Sequence, residues 1–151
     1  MPEAPGPPGP ASPAPRSFVA FDYGTRRVGV AVGNTLLGRA RPLQTLSAEG
    51  AARFEAIARV LQEWQPDALV VGVPFHPDGA PHDNTLRARR FARQLHGRFR
   101  LPVHEVDERW STTEAVARSG DNGRRDDDVD AAAAAVILDQ YLRTLADDAA
   151  A

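Results

Sequence analysis

The sequence predicts an α/β protein, a mixed five-stranded sheet with helices on both of its faces. Three observations lead there. Apolar residues alternate with small ones near the N-terminus, with Val28, Val30 and Val32 on one side, the period of a strand with one packed face. From residue 51 the period lengthens to that of a helix, and Phe54, Ile57, Leu61 and Trp64 recur on one side. The β-branched run 68–73 (ALVVGV), bounded by Asp67 and Pro74, reads as a parallel strand buried on both faces.

The elements follow in order. Residues 1–16 hold seven of the 13 prolines among Ala, Gly and Ser, a composition that cannot pack a core, so a disordered tail is expected there. The folded domain is expected over 17–145, with a flexible C-terminus over 146–151. Within it, strands 17–21 and 27–33 are joined by a tight connection, and a third strand lies near 41–46. Pro66 closes the helix 51–64. After strand 68–73 comes a loop, 74–83, containing three prolines and a glycine. A helix is expected over 84–97, with Leu86, Ala88, Phe91, Ala92 and Leu95 facing inward. Strand 102–106, a short helix 111–118 and a long helix 127–145 complete the chain. The first half of that last helix has almost no polar residue, so it must be mostly buried. An antiparallel meander followed by parallel crossovers gives the mixed sheet. Among folds of this order, the ribonuclease H-like one places an acid on the first strand and gathers others from later elements.

Composition excludes several chemistries. At 151 residues, 42% apolar and 25% charged, the chain suits one soluble domain with a real core. It has no cysteine, which removes thiolate metal sites, Cys nucleophiles and disulfides and fits a reducing compartment; the cytoplasm is expected. All 18 basic residues are arginine, so Walker-type, Schiff-base and Ser-Lys chemistry are absent as well. A net charge of -2 predicts no general affinity for polyanions, and nucleic-acid binding must come from a local patch. No apolar stretch is long enough for a membrane span, residues 131–138 being too few.

Three acidic positions stand out. Asp22 ends the first apolar strand, where a carboxylate is costly unless a cation or water reaches it; a turn-capping role through Gly24 is the plainer explanation. Asp107 and Glu108 end a later strand, and because adjacent strand residues point to opposite faces only one can enter a shared site. Asp126, Asp127, Asp128 and Asp130 lead into the alanine-rich helix, and helix N-terminal electrostatics accounts for two or three of them without any function. It accounts less well for Asp130, which lies within the helix beside the apolar run. The residues alone do not separate Asp130 from Asp127. Three carboxylates converging from such elements would select the hard cations Mg²⁺ or Mn²⁺. Phosphodiester hydrolysis by two ions suits that donor set and requires no covalent nucleophile.

The segments FDYGTRRVGVAVGN at 21–34, VVGVPFHPDG at 70–79, VDERWSTTEA at 106–115 and VDAAAAAVILDQYL at 129–142 together resemble the bacterial YqgF/RuvX family. The resemblance implies a ribonuclease H-like fold related to RuvC resolvases. It also implies a cytoplasmic nuclease acting in 5′ maturation of precursor 16S rRNA, with metal-binding acids at Asp22, Glu108 and Asp130. Trp110 departs from the Leu common in the family at that point. Arg26, Arg27 and Arg109 are expected near the scissile phosphate, and Arg87 and Arg90, in an acid-free stretch, are candidate nucleic-acid contacts. A solvated helix face explains that stretch equally well. His76 and His82 are expected to be loop residues.

Other readings stay open. A Holliday junction resolvase acting on branched DNA should be a homodimer making two symmetric cuts, although no dimer surface is legible in the sequence. A non-catalytic nucleic-acid-binding ribosome assembly factor would keep the acids only as structure. Asp22-Tyr23-Gly24-Thr25 also resembles the phosphate loop of actin-like and Hsp70-like ATPases, which need two lobes where this chain supplies one.

Overall fold

A computed structural model of the chain describes residues 14–108 and 126–150. Strands β1 (Ser17–Asp22), β2 (Val28–Asn34), β3 (Arg39–Leu46), β4 (Ala68–Val73) and β5 (Val103–Asp107) form one sheet in the order β3-β2-β1-β4-β5. The meander β1 to β3 is antiparallel, whereas β4 and β5 join it in parallel. Two helices, α1 (Gly50–Trp64) and α2 (Asp83–Phe99), supply those crossovers, and α3 (Asp126–Ala150) follows. The last helix is therefore longer than the 127–145 expected from the sequence, and the helix expected over 111–118 lies outside the described residues.

Alternation decides which helix packs where. Val19, Phe21, Val28, Val30, Val32, Leu69 and Val71 point to one face, where Ile57, Val60 and Leu61 of α1 and Phe91 and Leu95 of α2 cover them. Phe18, Ala20 and Val70 point to the other, against Ile137, Leu138 and Leu142 of α3. β4 is buried along its whole length, as its continuous apolar run requires.

Two helix faces differ from the sequence reading. Leu86 is 64% exposed, because the buried stripe of α2 runs through Thr85, Ala88, Phe91, Ala92 and Leu95. Thr85 takes that inward place because its hydroxyl donates to the Pro74 carbonyl and accepts from the His82 amide at 3.0 Å, tying the β4–α2 loop to the helix. In α1 the inward stripe is Arg53, Ile57, Val60 and Leu61, while Phe54 and Trp64 pack at its margin.

The α3 face of the sheet is lined with small residues. A Cβ on Gly29 would lie 1.9 Å from the Asp130 carbonyl oxygen, and one on Gly33 would meet Leu138 Cδ2 at 3.1 Å. Ala31 packs on Ala134 and Ala135. Glycine and alanine on both sides let the helix backbone rest directly on the strand, and this contact fixes the depth at which Asp130 sits.

Candidate active site

β1 lies between β2 and β4, and its last residue, Asp22, is in register with Gly29 on one side and Gly72 on the other. Residues in register share a face, so the Asp22 carboxyl stands on the α3 face between two strand positions without side chains. The space left is filled from elsewhere. Over Gly29 comes the α3 backbone at Asp130 and Ala131, and over Gly72 come Ile137 and the Glu108 carboxyl carbon, the latter 3.3 Å from where a Cβ would be. Glu108 directly follows β5, its amide donating to the Val73 carbonyl at 3.0 Å, and it is only 7% exposed. Of the two neighbouring acids it is Glu108 that faces Asp22.

The three acids do not meet on equal terms. Burial, first, and then the Glu108 charge and a hydrogen bond to its side chain hold the Asp22 carboxyl well above the ordinary carboxylate range, with Asp130 adding to the effect. Negative charge is thereby concentrated where the Asp22 and Glu108 carboxyls face each other beside Gly72. Asp130 instead accepts from Arg27 Nε at 2.7 Å, a part-buried ion pair that neutralises it from the β1–β2 side. In this arrangement no three His, Asp or Glu groups among the described residues stand grouped as a ready ion cage. The donor set is nevertheless all oxygen, and the Glu108 and Asp130 charges that push the Asp22 pKa up are an excess of negative charge that a divalent cation would relieve.

The arginines are spread around this end of the sheet. Arg27 pairs with Asp130, Arg26 is exposed beside it, and Arg87 and Arg90 stand exposed on α2, with Arg87 donating to Asn84 Oδ1 at 3.2 Å. Arg109 lies outside the described residues, as do Thr112 and Thr113. His82 serves the fold as N-cap of α2, where its Nδ1 accepts from the Asn84 amide at 3.1 Å and its ring packs edge-on to His76. The sequence reading missed Arg53. Only 6% exposed, it donates to the Ala48 carbonyl and, across to the β1–β2 loop, to the Thr25 carbonyl, each at 3.0 Å. Its place one turn before Ile57 on the apolar stripe was the available signal.

A mixed five-stranded sheet of this order with helices on both faces defines a protein of the ribonuclease H-like fold. Thermus thermophilus RuvC, solved in complex with a Holliday junction substrate, shares the fold with a TM-score of 0.51 at 21% identity, over 85% of this chain and 96% of that one. The chain belongs to the RuvX family, whose model, described as Holliday junction resolvase, matches residues 16–144. A relative from Albidiferax ferrireducens, named "Putative pre-16S rRNA nuclease", is 64% identical over 86% of this chain and 80% of its own. Relatives of the same name from Paraburkholderia phytofirmans and a Polaromonas species are 57% and 56% identical, covering 87% and 86% of this chain and 91% and 90% of theirs. Among the described residues no helix is long and apolar enough to cross a membrane.

Proposed function

We propose that the chain is a divalent-metal-dependent nuclease that processes the 5′ end of precursor 16S rRNA. The observation that carries this is the approach of the Asp22 carboxyl to buried Glu108 with Asp130 at its side, set where two glycines in register make room for them. Crowding like charges is costly, and a divalent cation held among them would offset that cost. The names of the family relatives supply the substrate.

Asp22, Glu108 and Asp130 would hold Mg²⁺ or Mn²⁺. Bound there, in the two-ion form, the metal would supply Lewis acidity toward the phosphoryl group and a water acidic enough to attack it. The chain contributes the rest. With a cation held there the Asp22 carboxylate would be stabilised in its ionised form, and Arg27, now paired with Asp130, would be placed to meet a phosphate oxygen. Arg26, exposed on the same loop, is placed to meet the strand, and the family resemblance gives Arg109 the same role. The chain acts in the cytoplasm, where its rRNA substrate is.

The test gives the purified chain a 5′-extended 16S rRNA fragment and a four-way DNA junction, each with Mg²⁺, with Mn²⁺ and with EDTA. Cleavage of the rRNA in metal only, lost in Asp22→Asn, is expected. Cleavage of the junction alone would replace the rRNA assignment with a resolvase, which should then be a dimer. Full activity of Asp22→Asn would remove the acidic site from the chemistry, and ribosome maturation supported by that variant in cells would favour an assembly factor.

A further inference from the structure

The residue after Asp22 points the other way. Tyr23 lies on the α1–α2 face, its ring centroid 5.0 Å from that of Phe91, and with Arg53, Phe54, Arg87, Arg90 and Gln94 it lines a hollow of about 310 Å³ between the start of α1 and the middle of α2. Among the described residues three guanidinium groups border this hollow and no carboxylate does. Arg53 is buried, yet its partners are two backbone carbonyls and the face of Tyr23 at 5.6 Å; Arg87 leans on an asparagine. Among the described residues none of the three is ion-paired, unlike Arg27 and Arg89 nearby. A buried guanidinium beside two exposed ones, all lacking a counter-charge, is a site shaped for an anion.

We propose that this hollow is a second phosphate site, taking a backbone phosphate of the nucleic-acid strand on the face of the sheet opposite the acids. The strand runs from Asp22 over the β1–β2 loop, past exposed Arg26, and down into the hollow, where Arg53, Arg87 and Arg90 clamp a phosphate and Tyr23 forms the wall. Arg53 holds this loop through the Thr25 carbonyl, so the hollow adjoins the loop that follows Asp22. The proposal rests on the nuclease reading in that the bound strand is the substrate.

The experiment separates the two. Binding of a short labelled single-stranded RNA, and of DNA of the same sequence, is followed by fluorescence anisotropy in EDTA across a salt series. Arg87→Gln/Arg90→Gln is compared with Arg59→Gln/Arg143→Gln, which removes the same charge from exposed positions elsewhere. Loss of two single-strand phosphate contacts should flatten the slope of log K against log salt by about 1.4, a loss of about 25-fold in affinity at roughly 0.1 M salt. The control pair should stay within about twofold, since charges farther away than about 10 Å are screened. Both strands should respond alike, because a phosphate contact does not read the sugar. Under cleavage conditions the hollow variant should raise KM and leave kcat unchanged. Equal losses in both double variants, an unchanged slope, or no binding of either strand by the wild type would overturn the proposal. If the wild type binds with the predicted difference but cuts nothing in Mn²⁺, the hollow stands and the nuclease reading falls.

Discussion

Gly29→Ala tests whether packing of the last helix, rather than the acids themselves, assembles the site. The new Cβ would lie 1.9 Å from the Asp130 carbonyl oxygen and 2.3 Å from its carbon, where ordinary contact begins at 3.4 Å. Both neighbours are backbone, so no rotamer change relieves the clash, and the first described turn of α3 must retreat by about 1.5 Å, the difference between 3.4 and 1.9 Å. Overpacking of this kind costs about 1–3 kcal/mol, a fall in Tm of roughly 2–12 °C. The larger effect is on function, since a displacement of about 1 Å at a reacting centre lowers rate about 100-fold. Gly97→Ala is the matched control. Inside α2, with nothing within 4 Å of its Cβ, it should stabilise by about 0.5–1 kcal/mol and leave activity unchanged. Differential scanning fluorimetry, Mn²⁺ calorimetry and rRNA cleavage are run on both variants. Wild-type Mn²⁺ affinity and cleavage in Gly29→Ala would refute the claim that direct helix-on-strand contact positions Asp130.

Three further outcomes follow from the same contacts. Asp22→Asn should abolish cleavage and yet melt above the wild type at neutral pH in EDTA. The folded Asp22 pKa is raised above its ordinary value of 3.8, so the cost of ionising it grows as pH rises from there and is absent below; the difference in Tm should vanish at pH 3 to 4. Arg27→Gln should cost about 1 kcal/mol in urea melts without metal and less with saturating Mn²⁺, which replaces the lost counter-charge of Asp130. Thr85→Val keeps the side-chain shape but removes both hydroxyl bonds to the β4–α2 loop, and urea denaturation should show a loss of about 1–3 kcal/mol.

Much of this architecture is written in periodicity. Val28, Val30 and Val32 alternate because one face of β2 meets the helices, and the six apolar residues of β4 run unbroken because both faces are covered. Asp22 was legible as a charge closing an apolar strand, and so was the pair Asp107 and Glu108, but the residues did not choose between those two and family resemblance selected Glu108. Asp130 was not separable from Asp127 by residue type, since any acid near a helix start is favourable there; family resemblance selected it. What distinguishes it physically is long-range: Gly29 and Asp130 are far apart in sequence and meet only when the alanine face lies on β2. Leu86 was misplaced because apolarity alone does not reveal that Thr85, with two hydrogen bonds available, can occupy the inward position. Arg53 went unnoticed because a charged residue is usually assigned to solvent, and its carbonyl partners lie in two separate loops.

The measurement closest to the central claim is anomalous diffraction from crystals soaked in Mn²⁺. The ion should lie within roughly 2.0–2.3 Å of oxygens from Asp22, Glu108 and Asp130, with Arg27 turned away from Asp130. Manganese bound elsewhere, or held by only one of the three while Arg27 keeps its partner, would contradict the account.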